Sequence, residues 1–169
     1  MKNNKILLIL LLSFFCGNVY AKSRTYKIEL LIFSQEMPNT EIFDQTESRI
    51  EWPKRLADRA AYTAVNSSLT GSYAKLSRSQ NYQPLLHVAW VQSVSANSHG
   101  RAVKISDPSG SIKGFFQLQR GSLIYMIADI EYQSDSVIYR INEKRRFKLK
   151  DIHYLDHPKF GVLVRVSPY

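Results

Sequence analysis

From Pro84 to the C-terminus, runs of β-forming residues alternate with short turn signals, and this rhythm constrains the fold more than any other feature. Residues 85–94 (LLHVAWVQSV) read as a strand, Asn97-Ser98-His99-Gly100 as a loop, and residues 101–105 as a short strand. Asp107-Pro108-Ser109-Gly110 has the residue types of a tight turn. Residues 112–119 and 123–132 flank Arg120-Gly121-Ser122 and predict a hairpin. Ser134-Asp135-Ser136 turns the chain into a strand over 137–149, and residues 160–166 form the last strand.

Upstream of this meander, residues 26–33 (YKIELLIF) place Tyr26, Ile28, Leu30 and Ile32 on one face. Leu31 and Phe33 make the other face apolar too, so this strand is expected to be central. Residues 34–51 are polar and mostly acidic, with Glu36, Glu41, Asp44, Glu47 and Glu51. That length is unusual for a connection in a compact domain, and a mobile loop is expected. Pro53 suits a first helical turn, and Leu56, Ala57, Ala60, Ala61, Ala64 and Val65 recur at helical spacing. Leu69, Tyr73 and Leu76 suggest a second short helix or a continuation past Gly71. The expected fold is α+β: a single domain with an antiparallel sheet of about 5–7 strands, packed by one or two helices near the N-terminal half.

Lys2 and Lys5 precede the apolar run 6–15, and Val19-Tyr20-Ala21 supplies the small residues of a cleavage site. Residues 1–21 therefore read as a secretory signal peptide cut after Ala21, leaving a domain over 22–169 with no stable membrane insertion. Cys16 is the only cysteine, and Phe14-Phe15 before it do not suit a lipidation site. The exported domain then has no thiol and no disulfide, and must be stabilised by its core. Its net charge is +7, since two of the 23 basic and none of the 14 acidic residues lie in the leader. Once the chain is exported, nucleic acid is not an expected partner, and the charge points either to anionic envelope polymers or lipids or to a solvated basic surface with no ligand.

The stretch 152–162 (IHYLDHPKFGV) holds two of the four histidines around an aspartate. It differs from a helical zinc motif because Pro158 disfavours helix at His157 and no glutamate is present. Neither a metal nor another cofactor is expected. No Gly-x-Ser-x-Gly elbow and no phosphate-cradling glycine loop occurs, so no catalytic residue is assigned. Over 137–150, alternation puts Val137, Tyr139, Ile141, Phe147 and Leu149 on one face. Arg140, Asn142, Lys144, Arg146, Lys148 and Lys150 share the other. That stripe is either a docking surface for carboxylates or phosphates, or an exposed face whose cations discourage aggregation. Trp90, Tyr132, Tyr139 and Tyr154 are candidate platforms for sugar rings.

Several blocks carry a resemblance over nearly all of the exported chain. They are YKIELLIFSQ (26–35), a polar segment ending in Trp52-Pro53, and YQPLLHVAWVQ (82–92). GSIKGFFQLQRGSLIYMIADIEYQ (110–133), IYRINEKRR (138–146) and IHYLDHPKFGVLVRVSP (152–168) follow. The most specific is Arg145-Arg146 followed by His153-Tyr154-Leu155-Asp156-His157-Pro158 and Phe160-Gly161-Val162. In these blocks and their order the chain resembles the CsiV family of periplasmic peptidoglycan-binding proteins, associated with cell-shape integrity in Gram-negative bacteria. Lys159 departs from the apolar residue expected at its place and exposes the tip.

The resemblance implies a periplasmic, non-enzymatic protein that binds peptidoglycan. It also implies help to the outer-membrane lipoprotein activator of a class A penicillin-binding protein in wall synthesis. The family supplies no residue roles, so the site is inferred from chemistry. Arg140, Lys144, Arg146 and Lys148 are expected to meet stem-peptide carboxylates, and Tyr154, Asp156 and His157 to shape the adjacent turn. That turn is expected to be chiefly structural, with the Asp156 side chain bonding nearby backbone. The alternative is an envelope protein–protein adaptor without glycan affinity, recognising through the 34–51 loop or a sheet edge.

Overall fold

The computed structural model describes residues 22–35 and 49–169. The expected signal peptide and most of the expected acidic loop lie outside the described residues. In chain order the elements are β1 (Arg24–Gln35), β2 (Leu56–Asp58), β3 (Thr63–Ala64), helix α1 (Thr70–Ser77), β4 (Tyr82–Val94) and β5 (Ser98–His99). There follow β6 (Ala102–Ser106), β7 (Ile112–Arg120), β8 (Ile124–Ser134), β9 (Val137–Arg146), β10 (Ile152–His157) and β11 (Phe160–Pro168). No described helix is long and apolar enough to cross a membrane.

Because β1 is apolar on both faces, it lies at the centre of its sheet, in the order β10-β11-β1-β4-β3. Ser34 and Gln35, expected in the loop, continue this strand: Ser34 pairs with both Phe160 and Gln83. A second sheet runs β2-β6-β7-β8-β9, with the two-residue β5 also on β7. The α+β class holds, but one face of the first sheet is covered by the second sheet rather than by helices. Tyr26, Ile28, Leu30 and Ile32 of β1 pack in one cluster with Phe116 and Leu118 of β7 and with Met126 and Ile130 of β8. Trp90 meets Phe116 edge-on across this core, with ring centroids 6.1 Å apart.

The helix predicted from the Leu56–Val65 spacing is absent. Residues 56–64 instead form β2, a single 3-10 turn (Arg59–Ala61) and β3. Of the stripe, Ala57 is buried, but Leu56, Ala60, Ala61 and Ala64 are exposed. Alanines bury too little surface to hold a short helix on a sheet, and a short helix is marginal without such packing. The backbone pairs instead with two sheet edges: Ala57 beside Val103 in parallel, and Ala64 opposite Trp90. This segment thereby steps from one sheet to the other.

The predicted short helix does form, as α1, and lies on the outer face of the first sheet. Leu69 at its start is 1 % exposed, and Tyr73 stacks on His87 of β4 at 5.1 Å. Its entry is tied to Glu29, a buried carboxylate in β1. Glu29 accepts hydrogen bonds from Ser67 Oγ at 3.0 Å and from the Ser68 backbone N–H and hydroxyl, with Lys27 Nζ at 3.4 Å. Burial raises the Glu29 pKa, but the bonds from Ser68 and Ser67 and the Lys27 charge carry it below the ordinary carboxylate value. On the far side, Ile50 packs on Ala102 and Phe115 of the second sheet, and Trp52 lies 6.2 Å from the Phe115 ring.

Candidate functional site

Strand β9 carries the predicted cations, but the structure divides them. Its even-numbered residues, Arg140, Asn142, Lys144 and Arg146, lie on one face, opposite Glu131, Asp129, Ile127 and Tyr125 of β8. Arg140 turns onto Asp129, with Nε 2.6 Å from Oδ1 and Nη2 2.7 Å from Oδ2. The Asp129 hydrogen bonds raise the Arg140 pKa further, and this guanidinium is engaged inside the protein. Lys144 and Arg146 are exposed, with Lys144 Nζ 5.8 Å from the Tyr125 ring centroid. The strand ends at Arg146, so Lys148 and Lys150 are exposed on the following turn rather than on a continuous strand face. Lys150 there has φ 72°, a left-handed conformation no strand residue adopts.

The link between β9 and β10 comes from Arg145, on the opposite face of β9 from Arg146. Its Nη1 lies 3.1 Å from Glu143, and its Nη2 donates to the Tyr154 carbonyl at 2.6 Å. The two sheets thus approach along their β9 and β10 edges.

The 152–162 stretch is the hairpin of β10 and β11, turning at Pro158-Lys159. Its polar residues divide by face. Tyr154 and Asp156 point outward, where the Tyr154 hydroxyl donates to Asp156 Oδ1 at 2.5 Å and lies 3.1 Å from Gln35 Oε1. Asp156 therefore bonds across the sheet, not to the nearby backbone expected of it. Gln35, 4 % exposed, donates from Nε2 to Asp156 at 3.1 Å and to the His157 carbonyl at 2.5 Å. Burial, reinforced by donation to Asp156, raises the Tyr154 pKa far above that of an ordinary phenol. Its ring stacks on Phe33 at 6.1 Å.

His153 and His157 face inward. His153 Nε2 lies 2.8 Å from the Lys148 carbonyl, and its ring meets Phe147 edge-on. His157 Nδ1 accepts the Lys159 N–H at 3.2 Å, while its ring packs on Tyr139 at 5.6 Å and Phe160 at 5.4 Å. Burial lowers the His157 pKa, with Asp156 opposing. Among the described residues no group of three His, Cys, Asp or Glu side chains is placed to hold a metal.

Behind this tip lies a cleft of about 420 Å³, lined by Ser34, Gln35, Gln83, Tyr132, Ser134, Asp135, Tyr139 and Lys159. It sits where the ends of β1 and β4 in one sheet face the β8–β9 hairpin of the other. Tyr132 and Tyr139, two of the aromatics singled out in the sequence, form part of its wall, with ring centroids 6.3 Å apart. Trp90, another of them, is fully buried and donates to Gln92 Oε1 at 3.2 Å, so it belongs to the core. Gln35, Gln83, Ser34 and Ser134, which also line the cleft, are not singled out by the sequence. They come from distant segments, and only the pairing of β1 with β4 brings the first three together.

A family model described as "Peptidoglycan-binding protein, CsiV" matches residues 64–131 and 126–169, the greater part of the chain. No curated protein and no solved structure matches the chain significantly.

Proposed function

We propose that this chain, which belongs to the CsiV family of peptidoglycan-binding proteins, is a non-catalytic periplasmic protein that binds peptidoglycan and assists its synthesis. The proposed beneficiaries are a class A penicillin-binding protein and its outer-membrane lipoprotein activator. The family match is the observation that carries the reading, since it spans β3 to the last strand and includes every residue of the proposed cationic surface. Lys144, Arg146 and Lys148 are exposed and unlike Arg140 are not held by Asp129. They are the groups to meet stem-peptide carboxylates, as charge-assisted contacts that salt weakens. Tyr154, Asp156 and His157 hold the neighbouring hairpin in shape.

Co-sedimentation of residues 22–169 with purified sacculi tests the reading. The domain should pellet at low salt, and an Arg146→Glu, Lys148→Glu double variant should pellet less. A domain that stays in the supernatant overturns peptidoglycan binding, and release of soluble muropeptides overturns the non-catalytic role. For the partners, adding the domain to the synthase and its activator should raise glycan polymerisation. An unchanged rate removes that part of the proposal.

A further inference from the structure

The geometry points to the cleft between the β1–β4 end and the β8–β9 hairpin as a binding site for the glycan strand, separate from the cationic surface. This inference rests on the peptidoglycan reading and sharpens it.

The lining has the chemistry of a site for a neutral, hydroxyl- and amide-bearing ring. The lining comprises two tyrosines, two serines, Gln83 and Gln35, the last with its carboxamide already bonded to Asp156, the His157 carbonyl and Tyr154, and its one cation, Lys159, is matched by its one anion, Asp135. Stem peptides carry several carboxylates, and nothing in this balanced lining favours them over solvent. An N-acetylated amino sugar offers no charge to pair. It offers an acetamido group for Gln83, hydroxyls for Ser34 and Ser134, and C–H faces for the tyrosine rings. A volume of about 420 Å³ falls in the lower part of the range for small-molecule sites, about 300–1,000 Å³, and suits a short glycan segment.

The walls are also pre-organised. Gln35 is held from behind by Asp156, the His157 carbonyl and the Lys159 carbonyl, which accepts the Gln35 N–H at 3.0 Å. Tyr139 is backed by His157 and Tyr132 by Phe160, with ring centroids 5.6 and 5.7 Å apart. At the lip, Asp135 and Ser136 both have positive φ, 50° and 67°. A two-residue turn of this kind is normally made with Asn-Gly. Retaining Asp-Ser costs conformational energy and keeps the Asp135 carboxylate at the lip of the cleft. Preformed polar walls lower the ordering cost of binding a weakly interacting ligand such as a sugar.

The test uses residues 22–169 and a peptide-free tetramer of N-acetylglucosamine, followed by two-dimensional NMR. The tetramer should shift resonances of Gln83, Ser134 and Tyr139, and a Gln83→Ala, Tyr139→Leu variant should bind at least about tenfold more weakly. A Lys144→Glu, Arg146→Glu variant should bind the tetramer as the parent does while pelleting less with sacculi. If the parent pellets with sacculi but the tetramer shifts nothing, or shifts residues outside the cleft, the cleft assignment falls and the peptidoglycan reading stands. If a free stem peptide shifts the cleft residues and the tetramer does not, the ligand class is wrong. If the parent binds neither sacculi nor tetramer, both readings fall. Should the Tyr139→Leu variant unfold, Gln83→Ala alone decides, because Gln83 is exposed.

Discussion

Arg140 grips Asp129 through two parallel hydrogen bonds of 2.6 and 2.7 Å, and Asp129 is 3 % exposed. Removing the guanidinium leaves a buried carboxylate without its counter-charge, a loss on the order of 3–5 kcal/mol. Arg140→Gln should therefore lower the urea midpoint sharply, and Arg140→Lys should recover only part, because an ammonium cannot reproduce the fork. Sacculus binding per folded molecule should be nearly unchanged in Arg140→Lys. A variant that loses binding while keeping its stability would place Arg140 back in the binding surface.

Two glycines are fixed by close approach. A Cβ on Gly114 would lie 2.2 Å from the Asp129 carbonyl oxygen and 2.7 Å from Ile130 Cα, both backbone atoms of β8. One on Gly161 would lie 2.6 Å from ring atoms of Phe33 and Tyr154. Backbone in a central strand pair cannot withdraw without breaking the ladder, whereas the Tyr154 ring, 39 % exposed, can swing outward. Gly161→Ala should cost about 1–3 kcal/mol and Gly114→Ala more than that range. Thermal denaturation of the pair checks the order, and equal losses would contradict this packing.

Much of the fold was legible in the sequence because strands and turns leave local signatures. The double-faced apolarity of β1 marked a central strand, and Asp107-Pro108-Ser109-Gly110 marked a turn. There the Asp107 carboxylate accepts N–H bonds from Ser109 at 3.2 Å and Ile112 at 2.7 Å, with Gly110 at φ 77°. The alanine spacing over 56–65 misled because period alone does not report whether a face has anything to bury. Arg140 misled for another reason: alternation places it on the cationic face, but Asp129 lies on the neighbouring strand. The cleft was invisible because its residues come from β1, β4, β8, β9 and the β10–β11 turn. Glu29 carried a readable signal, a lone acid within an apolar strand, but not the identity of its serine partners.

Tyr154 should be among the last tyrosines to ionise. Its pKa is raised by burial and by donation to Asp156, so between the ordinary value of 10.0 and the folded-state value the unfolded chain releases the proton first. Stability is then lost as pH rises above about 10. An alkaline titration followed by phenolate absorbance should show a late component that Tyr154→Phe removes and Asp156→Asn moves to lower pH. If the Tyr154→Phe curve still contains the late component, the Tyr154–Asp156 contact is not what holds that proton.

In mild acid His157 and His87 act in the opposite sense. Burial lowers the pKa of His157, against Asp156, and of His87, against Glu29, from an ordinary 6.5. The His87 ring also stacks on Tyr73, and its buried Nε2 has no hydrogen-bond partner among the described residues. Below pH 6.5 the unfolded chain takes up these protons before the folded one does, so stability present above that pH declines toward the folded-state values. Each unit of displacement is worth about 1.4 kcal/mol. Protonating His157 at Nδ1 also removes the acceptor of the Lys159 N–H, which loosens a wall of the cleft. The urea midpoint should therefore fall between about pH 7.5 and about pH 5.5, above the range in which Glu29 titrates. His157→Gln, which keeps an acceptor without the charge, should flatten part of that slope, and an unaltered slope would show that His157 titrates alike in both states.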